Sequence, residues 1–282
     1  MARCWSSLAN PQRWPVPSYS DYVRLPDLLA ELDAANVLTA SPVECAASIL
    51  RALRSFETAC QVSCTCVRPP SPALSGRRVA KISRLLERFQ SDLRGESATA
   101  SPLVISDTRV SGHHDEILFM RVVQISEIFL AHAAQQLEDV VEGRPFDRSG
   151  QRVRPSTASS DLDSARWVLT LLLTMQPSSF LEFRLATGAS SGVASPAYTR
   201  LVRARDACRG ANLSAAVDAE GTSELHPVDV AHAKWARLHL TLAQHFLGER
   251  AGTGGSAGAG FLATGSRSAA WSGAYRPSGL RG

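Results

Sequence analysis

Two histidines, His113 and His114, stand immediately before Asp115 and Glu116. Imidazole and carboxylate are metal-binding and acid–base groups. Adjacent residues on a helix point about a third of a turn apart, so both imidazoles cannot easily serve one ion. Capping and packing are the stronger reading of the pair, with a metal site the weaker one. Asp115 and Glu116 fall where a helix would begin, and carboxylates there suit the positive end of the dipole. Cys60, Cys64 and Cys66 form a second cluster. Their C-x3-C-x-C spacing matches no common zinc pattern, and no histidine lies near them in sequence. They read first as small hydrophobes on a helix, with a metal or redox role as the alternative. His239 is a third candidate, in the middle of an amphipathic stretch, with His232 seven residues earlier on nearly the same face. A lone helical histidine is ordinarily a surface or satisfied core residue. Arg184 follows the apolar run 180–183 and could be a solvated cation or a fork for a carboxylate. Thr253 lies between Gly252 and Gly254, where the backbone can come close to a ligand or simply form a flexible linker.

The elements that must position these residues are helical. Apolar residues recur at spacings of three and four, and few segments alternate as half-buried strands do. Helices are expected from Leu25 to about Asn36, from Ser41 to about Cys66, from Arg78 to Leu93, and from His114 to Val141. Others are expected from Leu162 to about Thr174, from Ser178 to about Ala186, from Pro196 to about Arg209, and from Pro227 to about Leu247. Ser179 and Glu182 read as a possible cap for the sixth. Three segments read as linkers: 68–77 with its prolines, the Ser/Thr-rich 95–112, and the polar 143–160. From Ala251 onward the chain holds nine of its nineteen glycines, and the part past Thr264 reads as a disordered tail. The fold class is all-α, a helical bundle. The expected organisation is one helical domain over 1–250 with an extra helical insertion at about 40–110. A Gly-rich loop follows at 251–264, and the tail at 265–282.

Composition sets the outer bounds. The 282 residues are 44% hydrophobic and 20% charged, enough for one large domain or two small ones. Thirty Lys and Arg against twenty-six Asp and Glu give a net charge of +4, with the arginines scattered rather than striped. Nucleic acid is not an expected partner. No stretch approaches eighteen uncharged apolar residues, so no membrane span is expected either. No secretory h-region is visible near the start, which leads us to expect a cytoplasmic protein without disulfides.

Four ordered motifs resemble the tryptophan 2,3-dioxygenase superfamily. His114-Asp115-Glu116, Leu118-Phe119, Gln124 and Glu127 match the family's HDE-x-LF helix in register. Tyr19, Tyr22 and Leu25 resemble its N-terminal Tyr-x-x-Tyr-Leu-x-Leu segment. Phe183-Arg184, continuing to Ser190-Ser191-Gly192, resembles its Phe-Arg and Ser-Ser-Gly segment. Trp235 and His239, then Gly252-Thr253-Gly254-Gly255 fourteen residues on, resemble its haem-ligand helix and Thr-Gly-Gly loop. The matching blocks cover about half of the chain. The resemblance implies a bundle enclosing haem b, with His239 as proximal iron ligand and His232 as the fallback. It implies that Arg184 pairs with a substrate carboxylate. Thr253, within Gly252 and Gly254, would meet the substrate ammonium near a haem propionate. Phe119, Phe180 and Ser191 would line the aromatic pocket. Tyr19 and Tyr22 would reach into a neighbouring subunit, making the active form a homo-oligomer, dimer or tetramer, with shared sites. The implied partners are an aromatic amino acid and O2.

The chain also departs from that family. Val123 stands where tryptophan dioxygenases carry a distal histidine, and valine neither accepts a hydrogen bond nor takes a proton. Phe180 stands where tyrosine is common. The pocket is therefore expected to be drier and less polar. Most directly, the resemblance implies dioxygenase-type cleavage of an indole ring. The alternatives are hydroxylation of tyrosine or of a modified tryptophan, and a non-catalytic haem-binding relative.

Overall fold

The computed structural model describes residues 26–27, 41–90, 111–144, 154–184, 195–211, 225–248 and 250. Within them lie seven α-helices: α1 Pro42–Val62, α2 Pro72–Gln90, α3 His114–Val141, α4 Pro155–Leu169, α5 Pro177–Phe183, α6 Pro196–Gly210 and α7 His226–Leu247. A 3-10 turn, Thr170–Thr174, continues α4. Extended pairing among the described residues is limited to an isolated parallel bridge between Val67 and His113. The all-α expectation holds.

Proline opens these helices because its fixed φ suits the first turn and its missing N–H is not needed there. Pro42, Pro155, Pro177 and Pro196 each start one, and Pro227 follows His226 in α7. Serines complete two of the starts. Ser41 Oγ accepts from the Glu44 N–H at 3.2 Å, and Glu44 returns the favour to the Ser41 N–H at 2.7 Å. Ser195 Oγ accepts from the Tyr198 N–H at 3.0 Å. Gly248 ends α7 at φ +57°, a conformation costly for any residue with a Cβ.

α3 lies at the centre. It packs against α4, α6 and α1, while α7 lies on α4 and α5. By length and apolar content α3 could cross a membrane, but 83% of its most apolar window is covered by other helices. It is a core helix, hydrophobic nearly all round because neighbours surround it. α1 and α2, the expected insertion, share one hydrophobic core with the other helices through Ile49, Leu50, Leu53, Ile82 and Phe89. Phe89 meets Phe129 of α3 with ring centroids 5.6 Å apart.

Three boundaries and one cap differ from the sequence expectations. α2 begins at Pro72, not Arg78: the prolines that mark a linker also supply a helix start, with the Ser71 hydroxyl accepting from the Leu74 N–H. α4 begins at Pro155, inside the expected polar loop. Ser159 and Ser160 turn their hydroxyls back to the Ser156 carbonyl, while Ala158 and Asp161 are buried. α1 ends at Val62, so Cys64 and Cys66 lie in the following loop rather than on a helix. α5 has Gln176 at its N-cap with no side-chain bond, so Ser179 and Glu182 do not form the expected cap. Of the expected helix at 25–36, only Pro26 and Asp27 are described, and both are helical. The tail at 265–282 lies outside the described residues.

Candidate functional site

An aromatic wall forms where α3, α5 and α7 meet. Phe119 and Val123 are one turn apart on α3 and share a face. Phe119 lies 5.4 Å from Phe180 and 5.7 Å from Phe183, ring centre to ring centre. Phe180 reaches Phe246 of α7 at 5.0 Å. Phe183 is fully buried, whereas Phe119 and Phe180 are only partly so. Val123 is 7% exposed. The wall is thus apolar on both its α3 and α5 sides.

Arg184 closes α5. Its backbone N–H bonds to the Phe180 carbonyl at 2.9 Å, which plants the guanidinium one turn from Phe180. Burial and the like charge of Arg250 hold that guanidinium below its ordinary pKa. Arg250 stands just past the end of α7, within electrostatic reach of Arg184.

α7 carries Trp235, His239, Leu242 and Phe246 along one stripe. Trp235 sits 5.1 Å from the His239 ring and 5.0 Å from Tyr198. Its indole N–H is buried with no acceptor among the described residues. Burial pushes the His239 imidazole down to about 4. It is therefore neutral near pH 7 and keeps a lone pair that a metal can take.

His232 is committed elsewhere. Arg205 Nη1 donates to its Nδ1 at 2.6 Å, and arginine cannot accept, so the proton lies on Nε2. Nε2 in turn lies 3.2 Å from the Tyr198 hydroxyl. Burial, then the Arg205 charge, push this imidazole down to about 3. Both ring nitrogens of His232 are engaged in the α6–α7 seam. His245 packs edge-on against Phe246 and faces a groove beside Arg77, Lys81 and Arg84 of α2.

The motif residues on α3 hold the helix in place. Arg121 donates to Gln124 Oε1 at 3.0 Å. Ser195 Oγ donates to Glu127 Oε2 at 2.6 Å, tying α3 to the start of α6. Burial raises the Glu127 carboxyl to about 7, against the lowering effect of the Ser195 bond. His114 is buried rather than capping, and His113 occupies the N-cap without a side-chain cap bond. Sequence reasoning missed Ser195, Tyr198 and Arg205; only Ser195 before Pro196 left a legible helix-start signal. Tyr19, Tyr22, Ser191, Gly252, Thr253 and Gly254 lie outside the described residues.

Comparison with known proteins returns one family. The tryptophan 2,3-dioxygenases of Bacillus thuringiensis (strain Al Hakam) and Bacillus anthracis are each 31% identical over 107 residues, 37% of this chain and 38% of theirs. That of Exiguobacterium sibiricum is 28% identical over 108 residues, with the same coverage. The match therefore spans well under half the length of these relatives. No family model and no solved structure matches the chain. With the all-α bundle, these relatives show that the chain is similar to tryptophan 2,3-dioxygenases over 37% of its length.

Proposed function

We propose that this chain is a haem-dependent oxygenase that inserts O2-derived oxygen into an aromatic amino acid, by tryptophan 2,3-dioxygenase-type cleavage of an indole ring. L-tryptophan or a derivative would be the substrate. The observation that carries this reading is His239: a partly buried imidazole held neutral on a buried stripe, beside an indole N–H that lacks an acceptor among the described residues. A neutral imidazole is the donor that haem iron takes, and an orphaned buried donor suits a site that receives a polar group. The residues present fit haem b, and the relatives' name, tryptophan 2,3-dioxygenase, supports oxygenase chemistry.

Haem b, when bound, supplies the O2-binding iron and the oxidising power. His239 holds its iron. The remaining work belongs to the chain. Arg184 grips the substrate carboxylate through its guanidinium fork, a use that offsets the like charge of Arg250. Thr253, between Gly252 and Gly254, holds the ammonium group. Phe119, Phe180 and Ser191 confine the ring, and Phe183 and Phe246 back that wall and exclude water. Tyr19 and Tyr22 complete the site of a neighbouring copy, so the working form is a homo-oligomer. Residues 1–250 make up the haem-binding domain, and the cytoplasm is its compartment.

Val123 favours a second reading. A buried valine on the wall gives no acceptor for an indole N–H. Single-oxygen insertion, as hydroxylation of tyrosine or of a modified tryptophan, needs no such acceptor. Arg184 and Thr253 speak against a mere haem carrier, which has no use for an amino-acid clamp.

The test is haem content and product mass. Haem-loaded, reduced protein is incubated with L-tryptophan in air and the products are weighed by mass spectrometry. A gain of two oxygen atoms supports ring cleavage; a gain of one, with tyrosine as well as tryptophan tried, moves the chain to the hydroxylase reading. A His239→Ala protein with unchanged haem content and spectrum would overturn the iron-ligand assignment.

A further inference from the structure

We propose that Cys60, Cys64, Cys66 and His114 form a structural zinc site that staples the end of α1 to the start of α3. The four ligand atoms, three Sγ and one imidazole nitrogen, lie within 4.8 Å of one another. Cys64 Sγ is 3.7 Å from His114 Nδ1. A tetrahedral zinc ion with Zn–S of about 2.3 Å and Zn–N of about 2.0 Å would hold sulfur and nitrogen about 3.6 Å apart and two sulfurs about 3.8 Å apart. Small rotations of the cysteine side chains close the remaining gap. Three thiols and one imidazole leave no open position, which is the composition of a structural site rather than a catalytic one.

The outer shell is already built. His114 Nε2 lies 3.0 Å from Glu57 Oε1, so Nδ1 is left to face the thiols while Nε2–H donates to a carboxylate. That carboxylate–histidine pairing orients imidazole ligands in zinc sites. Glu57 is itself held by Arg78 Nη1 at 3.2 Å and by the Ser75 hydroxyl at 2.8 Å. All of His114, Glu57 and Arg78 are fully buried, while the three cysteines stand at the half-exposed edge where an ion can enter. Phe56 stacks on the His114 ring at 4.7 Å and fixes its plane.

The backbone brings the ligands together across some fifty residues of sequence. The Val67 N–H donates to the Gly112 carbonyl at 2.8 Å, and the His114 N–H to the Val67 carbonyl at 3.1 Å. Gly112 permits this approach: a Cβ there would lie 3.3 Å from Val67 Cγ2. The Cys66 loop is thereby clamped beside the first turn of α3. Sulfur-rich tetrahedral donors select zinc. Phe119 lies five residues beyond His114, so the staple sets where the aromatic wall begins.

The site stands independently of the proposed oxygenase chemistry, and its test uses zinc alone. The full-length chain is loaded with zinc or stripped with a chelator, then pulse-alkylated and mapped by mass spectrometry, with bound zinc counted by elemental analysis. The expected result is one zinc per chain, and alkylation of Cys60, Cys64 and Cys66 slowed at least about tenfold by zinc. Buried Cys45 and Cys208 should react slowly in both states. A Cys64→Ser, Cys66→Ser double variant should lose the zinc. Cobalt substituted into the unmutated chain should show thiolate-to-metal charge transfer. The proposal is overturned if zinc leaves the three alkylation rates unchanged, or if the bound metal survives in the double variant.

Discussion

Glu127 should make this protein less stable as the pH rises towards neutrality. The carboxyl is 5% exposed, and burial, aided by the charge of Asp27 and opposed by the Ser195 hydroxyl, lifts it from 4.5 to about 7. In the unfolded chain it returns to water and to its ordinary value. Between those two pH values the folded state holds a proton that the unfolded state has released. The stability contributed by that difference is fully present below about pH 4.5 and is lost as the pH rises through about 7. At about 1.4 kcal/mol for each tenfold change in proton affinity, the whole span is worth about 3 kcal/mol. About 2.5 kcal/mol of it falls between pH 5 and pH 8. Glu127→Gln keeps an acceptor for Ser195 and removes the titration. Urea unfolding of both proteins at about pH 5 and pH 8 reads the difference, since every other titrating group is shared and cancels. The variant should gain about 2–3 kcal/mol relative to the parent between the two conditions. A relative change below about 0.5 kcal/mol would refute the claim that Glu127 is buried and protonated at the α3–α6 junction.

Three further outcomes are open to measurement. Arg78 is fully buried between Glu57 at 3.2 Å and Asp115 at 2.7 Å, so Arg78→Met should cost about 3–5 kcal/mol in urea unfolding by stranding two carboxylates; a loss under about 1 kcal/mol would show that water reaches them. Arg184→Ala should weaken binding of an aromatic amino acid by about 2–5 kcal/mol while leaving its decarboxylated amine nearly unaffected, by calorimetry on the haem-loaded protein. Equal losses for both would remove Arg184 as the carboxylate clamp. Val123→His should raise turnover of L-tryptophan in oxygen-uptake assays, at a stability cost of about 1–3 kcal/mol for a buried imidazole; unchanged turnover would mean that the natural ring needs no acceptor there.

The helices were legible because their signals are local. α3 follows its expected bounds, His114 to Val141, since acidic residues open it and apolar residues fill it. α6 and α7 start within a residue of their prolines. The misplaced starts of α2 and α4 share one cause. Proline and serine are both turn formers and good openers of a helix, and composition alone does not distinguish the two. Burial decides it: Ala158 and Leu162 face the core, and a polar run with a buried stripe folds as helix.

The candidate site was legible only where a motif carried it. His239, Arg184 and Phe119 came from ordered motifs; nothing in their spacing alone separates a ligand from a packed side chain. The partners that decide their chemistry were invisible. His232 looked equivalent to His239 by helical face, yet Arg205, twenty-seven residues away, fills its second nitrogen and ends the equivalence. The cysteine cluster makes the same point in the other direction. A C-x3-C-x-C run without a nearby histidine is unremarkable in one dimension. Its histidine arrives through the bridge between Val67 and His113, where Gly112 leaves room beside Val67. Linear spacing encodes ligands that share an element, whereas a ligand from a different helix is encoded only in the packing that delivers it. The same holds for Val123: its identity is plain in the sequence, but its consequence follows from Phe119, Phe180 and Phe246, which make that side of the site an apolar wall.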